Sequence, residues 1–176
     1  FQRRSVPCNV RRPDWAVRGG MGIYEPEFPH DGPSVAIIIP TFNSWRLLDR
    51  LLTSMKATKY QNYKIYVADN ESTDAGTLAF LSEISDEVSV KRVPKKNGKF
   101  NFANINNVMA QSLTEDYVLF LNDDTEVTQA NWLSQMVGWA QLKGVGVVGA
   151  RLLFGDGRIQ HGGISIAGPL LDGLTL

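Results

Sequence analysis

The sequence predicts an α/β fold in which a mainly parallel sheet has helices on both faces. Short apolar runs rich in β-branched residues alternate with segments whose apolar residues recur at helical spacing, and this alternation is typical of right-handed crossover units. The composition fits one soluble domain, since 43% of the 176 residues are hydrophobic and 20% are charged. A chain of this length can bury a core without disulfides or a structural metal.

The same composition excludes several classes of protein. The apolar run 35–40 is far shorter than the ~20 residues that a membrane-spanning helix needs. Cys8 is the only cysteine, which excludes a disulfide framework and any multi-cysteine zinc site. Because 18 basic residues balance 18 acidic ones, we expect no nucleic acid partner.

Residues 1–33 are predicted to be an irregular lead-in, since they show no sustained period of 2 or 3.6 and five prolines interrupt them. The first twenty residues carry five arginines against one acidic residue, Asp14. We interpret this basic arm as a solvated, partly disordered tail, with contact to an anionic membrane surface or to another part of a longer protein as the alternatives. Residue 1 is Phe and not an initiator methionine, so the sequence is expected to be a fragment.

The first part of the remaining segment, 34–176, contains three predicted strands and two predicted helices. The run 35–39 is apolar and β-branched and ends at Pro40, as expected of a strand buried on both faces. Ser44 is a predicted N-cap for the next helix, whose apolar positions are Leu47, Leu48, Leu51, Leu52 and Met55. A strand at 63–68, a helix at 74–84 and a strand at 88–93 follow.

The second part continues the alternation. A helix at 102–113, a strand at 117–121, a helix at 130–142 and a strand at 145–148 are predicted from their apolar spacing. In parallel sheets of this kind, ligands bind at the carboxyl ends of the strands. Function is therefore expected in the residues that directly follow each strand.

Mostly polar residues follow three of the predicted strands. They lie at 40–43 after the first strand, at 69–74 after the second and at 122–126 after the fourth. Asp123 and Asp124 are adjacent carboxylates at the end of an apolar strand, and a divalent cation such as Mg²⁺ or Mn²⁺ would relieve their repulsion. The alternative is a simple turn in which Thr125 caps a helix.

Asp69 occupies the end of the second predicted strand. A carboxylate there can accept a hydrogen bond from the imide N–H of a nucleobase or from a ribose hydroxyl. The alternative is an Asp-capped turn, and Ser72 or Asp74 can in the same way cap the helix that follows.

Five motifs resemble, in order and spacing, those of the family 2 glycosyltransferases. They are VAIIIPTFN at 35–43, VADNESTD at 67–74, FNFANINN at 100–107, LFLNDDTEV at 119–127 and DGRIQHGG at 156–163. The third and fifth motifs are similar to those of the bacterial branch that builds O-antigen and related surface polysaccharides. The resemblance covers about 34–163, which is roughly three quarters of the chain.

This resemblance implies a GT-A type fold with a Rossmann-like nucleotide-binding half. It also implies a nucleoside-diphosphate sugar donor, such as a UDP- or dTDP-sugar, and inverting transfer to a saccharide or lipid-linked saccharide acceptor. By position, Pro40, Thr41 and Asn43 border the nucleoside, and Asp69 holds the base or the ribose. The residues implied to bind the nucleotide sugar are Pro40, Thr41, Asn43, Asp69, Asn70, Ser72, Asn107, Asn122 and Asp123.

The D-x-D metal signature of the family falls on 122–124, where this sequence has Asn122 in place of the first acid. The resemblance therefore assigns Mn²⁺ or Mg²⁺ to Asp124 first and Asp123 second, while the Asn122 amide can bond to ribose. His161 is a third candidate ligand, because some glycosyltransferases of this fold supply a histidine from this region; an ordinary loop histidine is the alternative. Candidate cations for the diphosphate, or else a solvated charge run, are Lys95, Lys96 and Lys99.

Inverting transfer also needs a carboxylate that removes the proton of the acceptor hydroxyl. In the family this acid belongs to a motif further along the chain, and no residue between Asp124 and Leu176 matches that motif. We therefore assign the role of catalytic base to neither Asp156 nor Asp172. We therefore expect 34–176 to be a donor-binding domain, truncated at its C-terminus, that lacks the catalytic base. Its apolar tail, 162–176, is expected to be mobile or to make an intermolecular contact.

Two other functions compete with the enzyme. One is a non-catalytic nucleotide-sugar-binding module, tethered by its basic arm to a larger assembly. The other, a nucleotidyltransferase, is disfavoured because residues 40–43 do not form the Gly-rich, basic phosphate loop of those enzymes. The family and the lack of an export signal together imply a cytoplasmic protein, with the inner face of a bacterial membrane as one location.

Overall fold

The core of the protein is a parallel sheet of four strands, seen in a computed structural model that describes residues 6–163. The strand order is β5-β4-β3-β6, and each neighbouring pair is parallel. The elements, in chain order, are β1 (Asn9–Arg11), α1 (Asp14–Arg18), β2 (Glu25–Glu27), β3 (Val35–Thr41), α2 (Trp45–Met55), β4 (Tyr63–Asp69), α3 (Ala75–Ile84), β5 (Ser89–Arg92), α4 (Phe102–Ala110), β6 (Tyr117–Phe120), α5 (Trp132–Ala140), β7 (Leu152–Leu153) and β8 (Ile159–His161).

β3 is a central strand, and all seven of its residues are buried. Its β-branched, apolar run suits this position, because a strand with a neighbour on each side and helices on both faces excludes polar side chains. The register pairs Thr41 of β3 with Asp69 of β4. The carboxyl end of the sheet therefore begins where the polar motifs begin.

Helices cover both faces of the sheet, as the sequence predicts. On one face, α2, α3 and α5 share a buried cluster with β3, which includes Ile37, Ile39, Leu48, Leu51, Leu81, Leu133 and Val137. On the other face, α4 packs Ile105 and Met109 against Ile38, Ala68 and Val93. The alternation of inward residues in β3 explains how one continuous apolar run serves both faces.

The strand order reverses at β3. The chain passes from β3 to β4 and β5 on one side and then returns to place β6 on the other side. In open α/β sheets, ligands bind beside such a reversal, outside the carboxyl ends of the strands. This position, the reversal crevice, lies between the loops that follow β3 and β6.

The lead-in differs from the irregular segment that the sequence predicts. β1 and β2 pair antiparallel, and Arg11 forms an ion pair of 2.8 Å with Glu27. Phe28 is buried in a cluster that includes Leu142, close to α5. These contacts join residues that are far apart in the sequence, so no local periodicity reveals them.

The strand predicted at 145–148 is also wrong. This segment belongs to no strand, and Val147 is 90% exposed. Gly144 and Gly149 flank it and Gly146 lies within it, and glycine disfavours the extended, ordered backbone of a strand. The next strands are β7 and β8, which form an antiparallel pair. The apolar tail expected at 162–176 lies outside the described residues beyond Gly163.

Glu115 lies just before β6, at the amino end of the sheet, with its side chain only 5% exposed. Its carboxylate accepts a hydrogen bond of 2.8 Å from the Tyr66 hydroxyl and lies 3.3 Å from the Lys64 ammonium. The bond from Tyr66 holds the pKa of Glu115 below its ordinary value of 4.5. The ionised form of Glu115 is therefore preferred more strongly in the folded than in the unfolded chain.

We expect this carboxylate to contribute to acid sensitivity. A lowered pKa stabilises the folded state above the ordinary Glu value, and that contribution is lost as the pH falls through the folded pKa. Glu115→Gln should therefore lose less stability than the parent chain between about pH 6 and about pH 3, as followed by thermal melting. Glu83→Gln, on the exposed side of α3, is the control, and equal acid profiles for all three chains would contradict the assignment.

Candidate functional site

The end of β3 is joined to the loop after β6 by a hydrogen bond at the reversal crevice. The hydroxyl of Thr41, the last residue of β3, donates a bond of 2.8 Å to the carboxylate of Asp123. Thr41 is buried and Asp123 is half-buried. The first acid of the predicted metal site thus has a fixed orientation above the sheet.

The electrostatics of Asp123 indicate a place for positive charge. Burial raises the pKa of Asp123, and the neighbouring negative charge of Asp124 raises it further, while hydrogen bonds from Thr41 and Ser44 lower it. Asp124 itself is exposed. Two adjacent carboxylates in a partly dry crevice repel each other, and a cation between them would remove this cost.

Asp123 and Asp124 fit a Mg²⁺ or Mn²⁺ ion that takes its other ligands from phosphate oxygens and water. Within residues 6–163, no group of three or more His, Cys, Asp and Glu side chains is placed to hold a metal. His161 lies on β8, where it pairs with Leu152. The structure therefore does not bring His161 together with both aspartates in such a group.

Ser44 has a different contact from the one predicted. It precedes α2, but its side chain makes no capping hydrogen bond to that helix. Its hydroxyl instead helps to lower the pKa of Asp123.

Asn43 joins the loops that follow β3 and β4. Its backbone has a φ of 51°, in the left-handed region that Asn tolerates better than most residues. Its side-chain oxygen accepts hydrogen bonds from the backbone N–H groups of Thr73, at 2.8 Å, and Asp74, at 3.0 Å. Its own N–H donates to the Ser72 hydroxyl at 2.9 Å. Asn43 and Ser72 thus shape the wall of the crevice.

Two replacements of Asn43 should separate the contribution of its side-chain hydrogen bonds from the cost of its left-handed backbone conformation. Asn43→Ala removes both accepted bonds and leaves a Cβ-bearing residue in a strained conformation, so we expect a loss of about 2 kcal/mol of stability. Asn43→Gly removes the same bonds without the strain and should cost about 1 kcal/mol. Urea unfolding measures both values. An equal loss for the two variants would show that the backbone strain is negligible.

Asp69 is buried at the carboxyl end of β4, with its side chain 4% exposed. One carboxylate oxygen accepts a hydrogen bond of 2.9 Å from the backbone N–H of Ser72, which is the Asp-capped turn. The other oxygen lies 3.4 Å from the guanidinium of Arg92, at the end of β5. This long contact leaves the second oxygen with capacity for a further donor.

The remaining predicted residues divide by exposure. Asn70 is buried, and its amide donates to the Val93 carbonyl at 2.9 Å, so it fixes the loop after β4 from inside. Pro40 is also buried, within β3. Asn107 and Asn122 are exposed. Asn107 lies on α4, and Asn122 lies directly before the two acids at the crevice.

The lysine cluster also divides. The Lys95 ammonium lies 3.9 Å from the centre of the Phe42 ring, beside the crevice. The Lys95 backbone N–H donates to the Glu71 carboxylate at 2.9 Å. The backbones of Lys96 and Lys99 form an antiparallel bridge in a short exposed turn, as expected of a solvated charge run.

Sequence reasoning missed Arg92. The sequence carries no signal for it, because Arg92 and Asp69 meet only through the register of β4 and β5, which the sheet alone reveals. Two cavities, of about 620 and about 1000 Å³, lie away from the reversal crevice. The first borders the start of β4 near Lys64, and the second lies between the lead-in and α5 near His30.

Comparison with known proteins gives one family and several relatives. The model of glycosyl transferase family 2 matches residues 36–164. The uncharacterized protein y4gI of Sinorhizobium fredii is 39% identical over 81% of this chain, and the O-antigen biosynthesis protein RfbC of Myxococcus xanthus is 37% identical over 81%. The chain spans 16% of the length of the first relative and 11% of the second.

Solved structures agree on the fold. A mannosyltransferase of Pyrobaculum calidifontis, PcManGT, in complex with GDP-Man and Mn²⁺, superposes with a TM-score of 0.51, at 22% identity, over 61% of this chain and 32% of that one. TarS of S. aureus (residues 1–349), in complex with UDP-GlcNAc, gives a TM-score of 0.51 at 21% identity, over 61% of this chain and 31% of that one. The parallel sheet with helices on both faces is thus the GT-A fold.

Proposed function

Because the chain belongs to glycosyl transferase family 2, we propose that its domain at 34–176 binds a nucleoside-diphosphate sugar and a divalent cation. The sugar is then transferred with inversion to a saccharide acceptor. The hydrogen bond from Thr41 to Asp123 is the observation that supports this most, since it fixes an acid of the metal site above the strand reversal.

The spacing of the acids suits a nucleotide. Asp69 ends β4, β3 lies between, and Asp123 follows β6, so two strand spacings of ~4.8 Å, about 10 Å in all, separate them. An extended nucleoside diphosphate spans such a distance from base to phosphates. We place the base near Asp69 and the diphosphate near Asp123 and Asp124.

Each residue then has a defined task. Asp123 and Asp124 would hold the cation, which would supply positive charge to the diphosphate oxygens. Thr41 orients Asp123 by a hydrogen bond. Asn43 holds the crevice wall, so that the positions of the acids are set before the donor arrives.

The wider role follows the relatives. The similarity to RfbC supports a part in the synthesis of a cell-surface polysaccharide, with a saccharide or lipid-linked saccharide acceptor. The complexes of PcManGT and TarS, with GDP-Man and UDP-GlcNAc, support a nucleotide-sugar donor, and we propose a UDP- or dTDP-sugar. Among residues 6–163, no helix is both long and apolar enough to cross a membrane. We propose a bacterial protein that works in the cytoplasm, with peripheral contact to the membrane.

A non-catalytic nucleotide-sugar-binding module is the second candidate. Hydrogen bonds from the backbone and the guanidinium of Arg158 lower the pKa of Asp156, which makes this exposed carboxylate a poor general base. Transfer of sugar to an authentic acceptor by this chain would exclude the module.

The location of the site can be tested by mapping amide shifts in NMR spectra during titration with UDP and Mg²⁺. We expect the shifts to concentrate in the loops after β3, β4 and β6. Substitution of Mn²⁺ for Mg²⁺ should broaden the resonances around Asp123 and Asp124 through its unpaired electrons. Shifts confined to the cavity near His30, or absent altogether, would contradict the proposed function.

A further inference from the structure

Arg92 and Asp69 form an ion pair at the carboxyl ends of two neighbouring strands. They are register partners, and the guanidinium lies 3.4 Å from the carboxylate. The Arg92 side chain is 55% exposed, whereas that of Asp69 is 4% exposed. A ligand that reaches the buried carboxylate must therefore approach beside the guanidinium.

The backbone around this pair is firmly held. The N–H of Val93 donates to the Asp69 carbonyl at 2.8 Å, and the Asn70 side chain donates to the Val93 carbonyl at 2.9 Å. Val93 itself is fully buried. These bonds continue the pairing of β4 and β5 past the last residue of each strand. The two charged side chains are thus carried on rigid elements, which suits a recognition site.

The pair offers one acceptor beside several donors. The Asp69 carboxylate only accepts hydrogen bonds, and the Arg92 guanidinium only donates them. The first Asp69 oxygen is already bonded to Ser72, so the second is the one that a ligand can use. The complementary ligand edge has an N–H group next to a carbonyl.

We propose that Arg92 determines the choice of base, by reading with Asp69 the N–H and adjacent carbonyl of a lactam-type nucleobase. This inference rests on the proposed function, in which the base lies near Asp69. Uracil, thymine and guanine have such an edge. Cytosine presents an acceptor ring nitrogen next to a donor amino group. The nitrogen would face the Asp69 carboxylate, which is also an acceptor, and the amino group would face the Arg92 guanidinium, which is also a donor. A site left with such unpaired polar groups rejects the ligand.

UDP and CDP make the cleanest comparison, because they differ only in that edge. In calorimetric titrations with Mn²⁺ present, the chain should bind UDP at least about tenfold more tightly than CDP, as expected of one paired donor-and-acceptor edge. Arg92→Met keeps the length of the side chain but removes the donors, and should reduce this ratio about fivefold or more. Lys91→Met, the exposed neighbour on β5, is the matched control and should keep the ratio.

The outcomes separate a specific role from a structural one. If Arg92→Met weakens UDP and CDP by the same factor, the proposal is wrong and Arg92 only supports the fold. Arg92→Lys, which keeps the charge but not the planar donor group, should give an intermediate ratio, and it decides the question if thermal melting shows that the Met variant is unfolded. Failure of the parent chain to bind UDP, dTDP or GDP would instead overturn the proposed function, and this inference with it.

Discussion

Asp124→Ala should remove the metal-dependent part of nucleotide binding. Asp124 is the exposed acid of the pair, and its negative charge raises the pKa of Asp123 across the same small space. Loss of one charged ligand is worth about 1.5–3 kcal/mol, so we expect at least about a tenfold increase in the dissociation constant of UDP in the presence of Mn²⁺. With a chelator present, the variant and the parent should bind equally weakly.

Asp86→Ala is the matched control for this experiment. Asp86 is an exposed acid in the turn between α3 and β5, at the end of the sheet opposite to the crevice. It changes the net charge as Asp124→Ala does, but it should leave the affinity for UDP and Mn²⁺ unchanged. An equal loss in both variants would mean that general electrostatic attraction, and not metal coordination, brings the nucleotide to the chain.

Among substitutions that add one methyl group to α5, Gly138→Ala should destabilise the protein most. A Cβ at 138 would overlap the Phe28 ring, which is buried against this helix. Forcing an extra carbon into such a close contact typically costs about 1–3 kcal/mol, and we expect the upper end of this range. In a chain of this size, that loss lowers Tm by roughly 5–10 °C.

Two further variants show whether the Phe28 contact is the cause. Gly146→Ala adds the same methyl group where no atom lies within 4 Å, so it should leave Tm nearly unchanged. Phe28→Ala makes room at position 138, so the double variant should be less destabilised than the sum of the single ones. Additive losses would contradict the packing of the lead-in against α5.

The sheet was predictable from the sequence because its signals are local. The β3 run is buried on both faces, and its apolar, β-branched character appears directly in the residues. Helix ends were less predictable: α4 ends at Ala110 and α5 begins at Trp132, although the apolar pattern continues beyond both. The strand predicted at 145–148 failed because three valines among glycines do not form a strand without a neighbour to pair with.

The site was predictable in part. The motifs identify which strand ends carry polar groups, and the structure joins two of these through the bond from Thr41 to Asp123. The roles within the cluster depend on contacts across the sheet, which no sequence pattern shows. Asn43 and Asn70 bond to the neighbouring loops, and Arg92 becomes a partner of Asp69 only through the parallel register of β4 and β5.

The most direct test of the donor site is a calorimetric titration of UDP into the parent chain, once with Mn²⁺ and once with a chelator. We expect saturable binding of one UDP per chain that requires the metal, because the diphosphate and the two aspartates would share the cation. Binding that is equally strong in the chelator, or no binding of UDP, dTDP or GDP with Mn²⁺, would contradict a metal-dependent donor site at Asp123 and Asp124.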